Sequence, residues 1–156
     1  MNPPEPRQAS LTQVWVTGIA CIVIGTFAAV MSWRAGQVKV SPLFLVFVAL
    51  GVYLVLCAGH VTVDRTFIAV TTYIGRYQLP WNEVKRVEVS ASGTLVFHGQ
   101  GKRLVFPPAW LWSGPDKRAL YVLIVDQLRA RSLIPERSTT ADYKTHKNVR
   151  VKINKV

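Results

Sequence analysis

The chain has 156 residues and a net charge of +11, with half of its residues hydrophobic and only 17% charged. Its apolar residues gather in two blocks within the first 60 positions, so fewer than 100 residues remain for a water-exposed core, enough for one small domain. Sixteen of the 19 Lys and Arg residues follow position 60, against seven of the eight acids, and this net +9 suits anionic headgroups or acidic protein surfaces; membrane tethering argues against nucleic acid as a partner.

Residues 1–13 read as a polar tail. Residues 14–33 then form an uncharged run of 20, about 30 Å long as a helix, which matches the hydrocarbon core of a bilayer. The run is longer than a signal-peptide core, and Arg7 before it is offset by Glu5, so an uncleaved anchor is expected. Trp15 and Trp33 stand at its ends as interfacial anchors. Gly18, Cys21, Gly25, Ala28 and Ser32 recur at helical spacing and form a candidate packing face.

Residues 42–59 are a second uncharged run, of 18 residues, with Pro42 suited to a helix start and Tyr53 within it. Only residues 34–41 separate the runs, so two spanning helices would be antiparallel neighbours, with both chain ends on one side. The cytoplasmic side is expected for both termini and the basic domain, because the anionic leaflet lies there. In such a hairpin Cys21 would lie about 10 Å deep and Cys57 about 3 Å, a mismatch that disfavours a disulfide.

From residue 60 the pattern turns to short runs rich in valine, threonine and aromatics between turn residues, the signature of antiparallel strands. Strands are expected at 61–63, 66–72, 77–79, 84–90, 94–98 and 102–106. In the fourth of these, Val84, Val87 and Val89 are interrupted by Lys85, Arg86 and Glu88, so one face can be buried. Gly99-Gln100-Gly101-Lys102 is read as a hairpin turn rather than a phosphate cradle. Phe106, two prolines, Trp110 and Trp112 then form a compact aromatic segment, and in an extended chain the two tryptophans would point the same way, toward headgroups or a partner.

Pro115 and Asp116 open a helix expected over 115–131, with Leu120, Leu123, Ile124 and Leu128 as its apolar stripe. Residues 134–156 read as a basic tail carrying Lys144, Lys147, Arg150 and Lys152, in which Val149, Val151 and Ile153 alternate like a strand that could add to a sheet edge of this chain or another. Lys102, Arg103, Lys117 and Arg118, together with the tail cations, are candidates for anionic lipid.

The sequence resembles bacterial membrane proteins with a pleckstrin-homology-like domain preceded by two transmembrane helices. The resemblance is carried by Val61-Thr62-Val63-Asp64 after the second run, by Leu79-Pro80-Trp81-Asn82-Glu83-Val84-Lys85-Arg86-Val87, and by the final helix, over residues 14–131. It implies an α+β membrane protein: a two-helix transmembrane hairpin followed, over residues 60–133, by a small antiparallel sheet or partial barrel capped by a C-terminal helix. That family usually has seven strands, and periodicity counts five or six, with 109–112 as a candidate for the missing one. The role implied is a membrane-side binding platform with no shared catalytic residues.

Chemistry is not apparent. His60 is read as an interfacial residue, His98 as a strand end and His146 as part of a solvated tail, and none has metal-ligand spacing. No nucleophile elbow, phosphate loop or acid–base carboxylate pair stands out. The expectation is a non-catalytic scaffold that recruits or stabilises other membrane proteins, with sensing of anionic lipid as the alternative, and without metal, cofactor, nucleic acid or small-molecule substrate.

Overall fold

The computed structural model describes residues 6–138 and 145–151. Two apolar helices, α1 (Thr12–Arg34) and α2 (Ser41–Cys57), are followed by the strand-rich domain and a third helix, α3 (Lys117–Ala130). Helix α1, at 23 residues, is long and apolar enough to cross a membrane. Helix α2 carries no charge but has 17 residues, so length alone does not make it a span.

The two helices pack antiparallel, with Gly18 and Gly51 at the point of closest approach. A Cβ at Gly51 would stand 2.6 Å from the Gly18 carbonyl oxygen, and one at Gly18 would stand 2.8 Å from that of Gly51. Gly25 is buried one helical repeat away, against Phe44, Phe47 and Val48. Cys21, Ala28 and Ser32 are half-buried on the same face, while Val23, Ile24 and Phe27 point outward. Backbones this close leave no room for a side chain, and small residues are what permit the approach. Gly51→Leu is expected to force the helices apart and lower the unfolding midpoint of the detergent-solubilised protein by more than about 4 °C, with Gly51→Ala milder in the same direction, read by circular dichroism.

Among the described residues, nine strands form two sheets. Strands β1 (Arg7–Ser10), β2 (Gly59–Val63), β3 (Phe67–Thr72), β4 (Arg76–Pro80) and β9 (Arg150–Val151) make the first, in that spatial order. Strands β5 (Arg86–Val89), β6 (Leu95–His98), β7 (Arg103–Phe106) and β8 (Glu136–Arg137) make the second, ordered β7-β6-β5-β8. All pairings are antiparallel except β5 with β8. Seven strands, β1–β7, precede α3.

Inward residues of both sheets, among them Val61, Val63, Ile68, Leu79, Val87 and Leu104, are fully buried. An aromatic chain runs through this core: Trp81, Phe97, Phe106 and Trp112 meet edge to face at centroid distances of 5.6, 5.9 and 5.6 Å. Helix α3 lays Leu120, Ile124 and Leu128 over it and packs against β1 and β2.

Four sequence expectations are corrected. The supposed N-terminal tail contains β1, which pairs with β2 from Arg7↔Val63 to Ser10↔His60. Its pattern is weak because only Ala9 in Arg7-Gln8-Ala9-Ser10 is apolar, the other face being left to water. Residues 109–112 are not the missing strand; Ala109–Leu111 is a 3-10 turn. The basic tail is in part structured, since Ser138 N–H bonds to the Val89 carbonyl beside β8 and residues 145–151 are docked on the domain. The cap helix begins at Lys117 rather than at 115, because Pro115 and Asp116 stand in the preceding turn.

Candidate functional site

Strand register divides the domain into two ends. Ser10 runs through Leu11 into α1, and Gly59 follows α2 by two residues. Gly59 faces Thr72, and Thr71 faces Arg76, which in turn faces Val151. These residues form the end nearest the helices. Thr94, Val105 and Pro107 of the second sheet share a cavity of about 530 Å³ with Tyr53 and Cys57, so they lie at that end too. The opposite end carries the β2–β3 turn at Asp64-Arg65 and the β6–β7 turn at Gly99–Lys102.

The far end holds a shallow cleft of about 580 Å³ between α3 and the β2–β3 turn. Arg7, Arg65 and Arg118 line it with Asp64 and Asp126, over apolar Ala119, Val122 and Leu123. The carboxylate of Asp64 is committed to its own turn, accepting from the Arg65 N–H at 2.7 Å and the Thr66 hydroxyl at 2.9 Å. Arg7 reaches Asp116 at 3.4 Å. With Arg7 held by Asp116, the cleft is mixed in charge, and Arg65 and Arg118 are the guanidiniums placed to meet a partner's acidic side chains around an apolar floor.

The lipid candidates do not form one cluster. Lys102 pairs with Glu83 at 2.7 Å at the end away from the helices, whereas Arg103 donates to the carbonyl of Thr145, which lines the cavity with Tyr53 and Cys57, at 2.7 Å. Arg118 belongs to the cleft, and Lys117 precedes it on α3. Lys147 exchanges backbone hydrogen bonds with Arg103. Arg150 donates to the Ile74 carbonyl at 2.9 Å, at the end of the domain nearest the C-terminus of α2. Lys144, Lys152 and Ile153 lie outside the described residues.

The two tryptophans diverge, contrary to the extended reading. A 3-10 turn rotates about 120° per residue, so positions two apart do not share a face. Trp112 is buried, its indole N–H donating to the Pro107 carbonyl at 2.9 Å, whereas Trp110 is 62% exposed and donates to the Ser92 carbonyl at 3.2 Å. Val149 is buried, its carbonyl accepting the Gln78 N–H at 2.9 Å, and Val151 is exposed in β9, which adds to β4 of this chain. Sequence reasoning missed Tyr73 and Ile74, which are large, exposed and set in the β3–β4 turn. Two bulky apolar residues before the glycine of a turn were the available signal.

His146 is docked rather than solvated. Its ring stacks on Tyr77 at 4.0 Å and accepts the Val105 N–H at Nδ1, 3.2 Å away, so it clips the first sheet to the second. Burial, and then the nearby Arg103 guanidinium, push its pKa down to about 4. The imidazole is therefore neutral when docked, while the undocked ring titrates near 6.5. Docking is fully stable above that value and weakens as pH falls toward 4, where the undocked state binds the extra proton. The protection of the Val105 amide, its exchange rate relative to the intrinsic rate at each pH, is expected to fall over this window, and His146→Gln should flatten the dependence. His60 and His98 are also shifted down, each mainly by burial, with Arg76 acting on the first and Arg86 and Arg103 on the second.

Among the described residues, no three His, Cys, Asp or Glu side chains converge as metal ligands would. Cys21 and Cys57 are free thiols. No protein-family model, curated protein or solved structure matches the chain.

Proposed function

We propose that this protein is a non-catalytic, membrane-anchored binding module in which α1 and α2 both cross the bilayer and a pleckstrin-homology-like domain presents its far-end cleft to another membrane protein. The carrying observation is the pairing of β1 with β2 on either side of the helices. Strands bonded in one sheet lie on one side of a membrane, so a chain that leaves through α1 must return, and α2 is the only helix between them. Its 17 residues reach about 25 Å, short of the hydrocarbon core by an amount that local thinning or the following Ala58-Gly59 can accommodate. Seven strands in sheets of four and three, with a helix over them, support the pleckstrin-homology-like reading; β8 and β9 are additions to it.

The anionic leaflet favours the cytoplasmic side for the domain. The scaffold reading draws on the cleft, whose guanidiniums face away from the helices and so out of reach of headgroups. Sensing of anionic lipid is the second reading, favoured by Arg76 and Arg150 at the near end; flotation of the full chain with neutral and anionic vesicles tests it. For the scaffold, a photo-crosslinker at Val122 in native membranes is expected to capture one recurring membrane protein, and Arg65→Glu with Arg118→Glu to abolish the capture. Recovery of the free chain alone would overturn the reading.

A further inference from the structure

The β3–β4 turn and the 3-10 turn carry exposed apolar side chains that nothing among the described residues covers. Tyr73 is 71% exposed, Ile74 44% and Trp110 62%. Their height is fixed by the register. Thr72 is level with Gly59, so Tyr73 and Ile74 project past the sheet toward the helices. Tyr73 lines a small cavity with Trp15, which lies in the first turn of α1, and Ile74 shares another with Tyr53 and Cys57 of α2. The 3-10 turn of Trp110 packs against α1. All three side chains therefore stand at the level where the helices end.

We infer that this end of the domain is immersed in the interfacial zone of the bilayer, with Tyr73, Ile74 and Trp110 beside Trp15 among the headgroups and upper acyl chains. The inference rests on the reading that α1 crosses the membrane. Tyr73 meets α1 at Trp15, and along that helix Val16, Ile19 and Val23 are exposed apolar residues. No charge interrupts Thr72 to Gly75, and the first cations behind that turn, Arg76 and Arg150, sit where guanidiniums would meet phosphates. Aromatic rings with one polar atom favour this zone, and burying them there removes apolar area from water. The domain would then be held upright by two turns as well as by the helices.

The test uses the full chain in nanodiscs of phosphatidylethanolamine and phosphatidylglycerol, with Cys21→Ala and Cys57→Ala, and spin labels introduced singly through Ile74→Cys, Trp110→Cys, Arg65→Cys and Val23→Cys. Labels at 74 and 110 are expected to be relaxed by oxygen and shielded from a water-soluble nickel chelate, with the reverse at 65. Tyr73→Asp should raise nickel access at 110 while leaving 65 unchanged. Nickel access at 74 and 110 equal to that at 65 would overturn the inference, and shielding from both reagents would do so by indicating a protein cover. Position 23 separates the causes: if it is open to oxygen and closed to nickel, the spanning reading stands even when the immersion fails; if nickel reaches it, the spanning reading itself falls.

Discussion

Replacing Gly59 by alanine is expected to unfold the junction between α2 and the first sheet, at a cost near or above about 4 kcal/mol, beyond the range of ordinary overpacking. A Cβ at this position would lie 1.9 Å from the Thr71 carbonyl oxygen and 2.9 Å from the Thr71 carbonyl carbon. Both are backbone atoms of the paired strand, so no rotamer change relieves the clash. The ladder from Gly59↔Thr72 to Val63↔Ile68 would have to shift, and β1, bonded to the other edge of β2, would shift with it. Denaturant titration of the detergent-solubilised chain, followed by tryptophan fluorescence, checks this. A midpoint within error of wild type would mean that the strands separate more readily than their geometry implies.

Trp81→Ala is expected to cost about 3–5 kcal/mol. Trp81 is fully buried and starts the aromatic chain, meeting Phe97 edge to face at 5.6 Å. Its indole N–H donates to the Asp64 carbonyl at 2.8 Å, which ties the β2–β3 turn to the core. The Arg131 guanidinium lies 5.4 Å from the ring centroid and adds a cation–π contact from the end of α3. Removing the ring leaves a cavity, an unpaired carbonyl and a loosened helix end. Trp81→Phe, which keeps most of the volume but not the donor, should lose less than half as much. The same titration separates the two, and equal losses would assign the effect to the hydrogen bond alone.

How far such features could be read from the sequence depended on the range of the interaction behind each. Helices α1, α2 and α3 follow from local hydrophobic runs and periodicity, and their residues appear in the structure within a few positions of the expected bounds. The strand expected at 84–90 was legible in part: Arg86–Val89 is a strand with Val87 fully buried, but Glu88, expected to face water, is buried and pairs with Arg86, and Val84 lies outside the strand. Strand β1 was not legible: its single apolar residue carries no periodic signal, and its partner lies some 50 residues away, across both helices. Trp110 and Trp112 were misread because an extended backbone was assumed where Pro108 leads into a 3-10 turn. Val149 and Val151 showed strand alternation, but no local feature names β4 as the recipient. The cleft is the least legible part, since Arg7, Arg65 and Arg118 become neighbours only through the β1–β2 pairing and the placement of α3.

Placing both helices inside the β1–β2 connection constrains the order of assembly. During synthesis the first strand emerges before either helix, yet its bonding partner is made only after the second is complete. Until then β1 has no sheet to join, and the remainder of the domain has an open flank along β2, with Val61 and Val63 beneath it. Formation of the helix pair and closure of the sheet core are thus successive stages of one folding reaction. The polypeptide from β2 onward therefore lacks an edge strand of its own first sheet, because that strand is encoded upstream of both helices.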